Sequence, residues 1–65
     1  MQDKPEPLAV SVDTASQMLG LSRRTIYTRI NNGELPSFRV GPRRLISMQA
    51  LRDFISAREA EAASA

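Results

Sequence analysis

A mainly helical domain carrying a small β-hairpin is what this 65-residue sequence predicts. Three observations predict it. Two short apolar-periodic segments, each opened by a serine and closed by a glycine, meet at Gly20-Leu21-Ser22. Two short alternating stretches, "SFRV" and "RRLIS", flank the turn pair Gly41-Pro42. A further helical stripe starts at Met48.

Each element follows in order. Residues 1–7, "MQDKPEP", are polar with two prolines and read as a flexible leader. "LAVSV" begins the fold. Ser11 is a good N-cap, and Val12, Ala15 and Leu19 then fall on one helical face. Gly20 supplies the left-handed conformation of a helix stop. Leu21 reads as an apolar plug and Ser22 as a second N-cap, so helix two spans Arg23 to about Asn31. Ile26 and Ile30, four apart, face the core. Arg24, Thr28 and Asn31 fall on the opposite side, with Tyr27 at the boundary, and Gly33 ends the helix. Two short helices meeting through such a turn make helix-turn-helix geometry.

The alternation of Phe38 and Val40 with Ser37 and Arg39 predicts one strand, and Arg44 and Ile46 predict its partner. Gly41-Pro42 is the turn between them, followed at once by Arg43 and Arg44. A hairpin tip bearing paired arginines suits a narrow, negatively charged minor groove; solvated surface charge is the alternative reading. Ser47 is a third N-cap. Met48, Leu51, Phe54 and Ile55 form the apolar stripe of a third helix, running to about Ala60. The last residues, 57–65, have high helix propensity and little to bury, so they extend that helix or, as the preferred expectation, fray.

The charge is uneven. Residues 20–52 carry seven arginines against Glu34, a net of +6, while residues 1–19 and 53–65 each carry −2, which returns the total of +2. A basic middle between acidic ends suggests a polyanion-binding face. With no cysteine and no histidine, disulfides and thiolate metal sites are excluded, and the commonest general base and metal ligand are missing. No phosphate loop of the GxxxxGK type is present, and the acids are scattered. The reading is therefore a binding protein with no catalytic residue, metal or cofactor. No apolar run approaches membrane-spanning length, and the expected location is the cytoplasm, at the nucleoid.

"LGLSRRTIY", "GELPSFRVG" and "RRLIS..ALRDF", in this order and spacing, resemble the excisionase-type, MerR-like winged-helix family over about residues 8–56. The resemblance implies a winged helix-turn-helix domain on duplex DNA, with helix two in the major groove and the hairpin wing in the adjacent minor groove. It implies Ser22, Arg23, Arg24, Tyr27 and Thr28 at the major groove, and Arg39, Arg43 and Arg44 on the wing. Three positions depart from the family pattern. Thr14 replaces a usual acid, which removes a capping box from Ser11. Ser16 replaces a small apolar residue, and Pro42 sits in a turn that is usually glycine-rich and polar.

Arg23 and Arg24 suit guanine or phosphate, and Thr28 suits a phosphate or a thymine methyl. Tyr27 stacks on the sugar–phosphate edge or packs beneath the wing. No second domain is evident in the sequence, so no small-molecule effector is expected. The resemblance implies a phage excisionase: a recombination directionality factor that would bind attachment-site DNA cooperatively, bend it, and direct an integrase toward excision. One monomer reads few base pairs, so neighbouring copies would associate head-to-tail along the DNA. The alternatives are a small repressor of a phage or plasmid promoter and, from another class, a protein-interaction module for an acidic partner.

Overall fold

The computed structural model describes residues 7–64. The expected leader, residues 1–7, lies outside the described residues except for Pro7. The elements are β1 (Ala9–Ser11), α1 (Val12–Leu19), α2 (Arg23–Asn31), β2 (Phe38–Val40), β3 (Arg43–Ser47) and α3 (Met48–Ser64). Three helices with a small antiparallel sheet of order β1-β3-β2 give a winged helix-turn-helix architecture.

Serine opens every helix. Ser11 Oγ accepts from the Thr14 amide at 3.2 Å, Ser22 Oγ from the Thr25 amide at 3.1 Å, and Ser47 Oγ from the Ala50 amide at 3.0 Å. Each bond satisfies an amide that the first helical turn leaves unpaired. The acid missing at position 14 is replaced by a neutral contact, since the Ser11 hydroxyl donates to Thr14 Oγ1 at 3.2 Å. Ser22 and Thr25 repeat the pattern, with their hydroxyls 3.0 Å apart.

The helix stops are equally local. Gly20 sits at φ 73°, in the left-handed region that a side chain disfavours, and its amide and that of Leu21 both bond to the Ser16 carbonyl. After α2, Gly33 N–H reaches Ile30 O and Glu34 N–H reaches Arg29 O, both at 3.0 Å. This pair of bonds is a Schellman motif. It turns the chain so that Leu35 enters the core fully buried.

The core comprises Val10, Val12, Ala15, Ile26, Leu35, Ile46, Leu51 and Phe54, with Leu19, Ile30, Met48 and Ala50 packed against it. Burying each large aliphatic side chain contributes about 1.5–3 kcal/mol, so Ile26 anchors α2 strongly. Two apolar expectations need correction. Leu21 is 37% exposed and does not plug the turn; Ile55 is 39% exposed. Ile55 shares the Met48–Leu51 side of the helix but follows Phe54, the last α3 residue that packs in the core.

The sheet also exceeds the expected hairpin. β1 adds a third strand, with Val10 opposite Ile46 and Ser11 opposite Leu45. The Met48 amide donates to Leu8 O at 2.9 Å, tying this strand to the start of α3. Three residues are too few to show alternation, so nothing local marks β1 as a strand. In the hairpin, Val40 pairs with Arg43 across the two-residue loop Gly41-Pro42. Gly41 has φ 61°, and among the described residues no non-glycine has positive φ, which identifies a type II′ turn. α3 continues as helix to Ser64, past the expected end near Ala60 and through the 57–64 stretch for which fraying is the preferred reading of the sequence.

Candidate nucleic-acid interface

The first turn of α2 concentrates positive charge where a helix least welcomes it. Arg23 and Arg24 occupy the first two positions, and the turn holds no acid. The helix macrodipole places partial positive charge at the same end. Two arginines there cost a few tenths of a kcal/mol each in isolation, and the same arrangement attracts an anion. Ser22, Arg23, Arg24, Tyr27 and Thr28 are all exposed.

Their side chains differ in freedom. Arg23 Nε lies 2.6 Å from Asp13 Oδ1, across the turn on α1, and its guanidinium sits over the Tyr27 ring at 5.7 Å from the centroid. Arg24 makes no side-chain hydrogen bond or ion pair among the described residues. The Ser22 hydroxyl serves as the N-cap. The Thr28 hydroxyl donates to the Arg24 carbonyl at 3.0 Å, which commits its proton to the helix.

The wing carries the other three arginines, and the pairing register divides them. Arg39 stands opposite Arg44, and Val40 opposite Arg43. Paired residues share a sheet face, and neighbours along a strand alternate. Arg39 and Arg44 therefore lie on the face of Ile46, while Arg43 shares the other face with Val40, Leu45 and Phe38. Arg44 is half-buried and donates to Ser37 Oγ at 2.6 Å. Arg39 and Arg43 are exposed and make no side-chain hydrogen bond or ion pair among the described residues. Like charges directly opposite one another destabilise a strand pair, so the Arg39–Arg44 pair favours a counter-anion.

The two regions meet at an open cavity of about 290 Å³ lined by Ser11, Val12, Asp13, Arg23, Tyr27, Arg43 and Arg44. Helix and wing arginines thus converge on one side, with Arg24 and Arg39 outside its lining. Arg29 belongs elsewhere. It pairs with Glu34 at 3.4 Å, and Glu34 also meets Arg58 of α3 at 3.4 Å. That network removes Arg29 from the anion-facing set although sequence counts it in the basic block.

Sequence reasoning missed Asp13, Ser37 and the exposure of the wing's apolar residues. Phe38 is 43% and Val40 58% exposed, because the register places both on the sheet face opposite the one that Val10 and Ile46 bury. An acid in the first turn of α1 reads as ordinary dipole compensation; only the folded turn brings it to Arg23. No helix among the described residues is long and apolar enough to cross a membrane.

No curated protein and no solved structure matches the chain. A family model described as "Helix-turn-helix domain" matches residues 9–59, from β1 well into α3. DNA is the partner that this class of domain implies. On that match, which takes in the capped helix pair, the wing and the arginines around the cavity, the chain belongs to the helix-turn-helix domain family.

Proposed function

We propose that this domain is an excisionase-type accessory protein that binds the duplex DNA of a phage attachment site and directs an integrase toward excision. The observation that carries the DNA-binding mode is the convergence of Arg23 from α2 with Arg43 and Arg44 from the wing around one open cavity. An α-helix fits the major groove, and arginines on an adjacent hairpin fit the minor groove beside it. The recombination role is supported by the resemblance of "LGLSRRTIY", "GELPSFRVG" and "RRLIS..ALRDF" to that family. The protein acts by binding rather than catalysis, without cofactor or small-molecule effector. Copies lie side by side on adjacent sites, bend the DNA and gain specificity from clustering.

Mobility-shift titrations on attachment-region and random duplexes, followed by reconstituted excision with the integrase, test this. Preferential binding to the attachment region and stimulated excision are expected. Equal affinity for both duplexes, or an excision reaction indifferent to the protein, overturns the recombination role. Footprints confined to a promoter would assign it to repression instead.

A further inference from the structure

Among the described residues, Asp13 is the one acid lining the cavity shared by α2 and the wing. A carboxylate there repels phosphate and offsets one arginine. It contributes little to stability, since the Arg23 and Asp13 side chains are 60% and 67% exposed, and exposed ion pairs are worth little. What it does is geometric. The 2.6 Å contact engages Arg23 through Nε. A guanidinium has five N–H donors, one on Nε and four on its terminal nitrogens. With the carboxylate nearest to Nε, the two terminal nitrogens remain to act as a fork, the shape that meets O6 and N7 of guanine. The Tyr27 ring at 5.7 Å restricts the same group from another direction. Arg23 is also the first residue of α2, and the N-terminal residues of a recognition helix are those that reach base edges.

We propose that Asp13 is a specificity-determining positioning residue, holding Arg23 so that its terminal nitrogens read a guanine in the major groove. The inference rests on DNA binding through α2. A phosphate contact would not need this support, because phosphate tolerates many arginine orientations and a base edge does not. Asp13 therefore trades electrostatic affinity for base preference. Its loss shifts specific and non-specific binding in opposite directions, which mere loss of structure does not do.

The test is selection of binding sites from a randomised duplex pool with wild type, Asp13→Asn and Arg23→Ala, and with the double variant, followed by titrations on the selected and a scrambled duplex. Wild type is expected to select a guanine that Arg23→Ala does not. Asp13→Asn should lower the ratio of selected to scrambled affinity about tenfold, while affinity for scrambled DNA rises about twofold at low salt. In the Arg23→Ala background the Asp13 change should leave base preference untouched. Thermal melts of Asp13→Asn should match wild type, which separates positioning from folding. An unchanged guanine preference in Asp13→Asn, or parallel losses on both duplexes, overturns the inference while leaving DNA binding intact. Failure of wild type to bind any duplex overturns the underlying reading as well.

Discussion

The first turn of α2 and the β2–β3 wing carry similar charge and are built differently. The helix stands on fully buried Ile26, is capped by Ser22, and has Arg23 clamped between Asp13 and Tyr27. The wing is an edge hairpin whose Phe38 and Val40 face solvent, and whose one arginine restrained among the described residues is Arg44, held by Ser37. A rigid donor suits a base edge, whereas a looser charge suits phosphate. The difference assigns sequence choice to the helix and general affinity to the wing.

The comparison breaks most severely if α2 loses its footing. Ile26→Ala deletes a fully buried side chain and is expected to cost about 2–5 kcal/mol in urea unfolding. In a domain of this size, that consumes much of the total stability. A loss under about 1 kcal/mol would mean that the core does not fix the helix.

Next in size is removal of wing charge. Arg24, Arg39, Arg43 and Arg44 predict a slope of log affinity against log salt near −3 to −4, with Arg29 excluded by its pairing to Glu34 and Arg23 by its pairing to Asp13. Arg43→Ala with Arg44→Ala should reduce the slope by about two and weaken binding to all duplexes alike. An unchanged slope would place the wing away from phosphate. Arg24→Ala sharpens the contrast from the helix side. Should Arg24 read a base, the loss falls on one position of the site, at about 1–3 kcal/mol. A uniform loss on every duplex, measured in the same titrations, would reassign it to phosphate.

How much of this was legible depends on the range over which the information acts. The helix limits were readable because serine caps and glycine stops act within four residues. Ser11, Ser22, Gly20 and Gly33 each do in the fold what their chemistry requires locally. β1 was not readable, because its strand character comes from pairing with β3 far along the chain. Leu35 carries no periodicity, since it stands alone in a loop that the Schellman turn folds inward. The placement of the site residues follows the same division. Exposure of the α2 set follows from helical phase, but the split of Arg43 from Arg39 and Arg44 needs the strand register. The Asp13–Arg23 contact needs the turn itself.

The smallest expected effect isolates restraint from charge in the wing. Ser37→Ala removes the oxygen that accepts from Arg44 at 2.6 Å and leaves every charge in place. Arg44 is half-buried, so its guanidinium must turn outward to recover hydrogen bonds from water, and the cost is about 0.5–1.5 kcal/mol of stability. The salt slope should not change, because the number of phosphates neutralised is the same. Affinity should fall only a few-fold, through the freedom that Arg44 regains and must lose again on DNA. If the slope instead drops by about one, Arg44 needs Ser37 to reach phosphate at all. The wing would then be as positioned as the helix, and the division between a reading helix and an anchoring wing would fail.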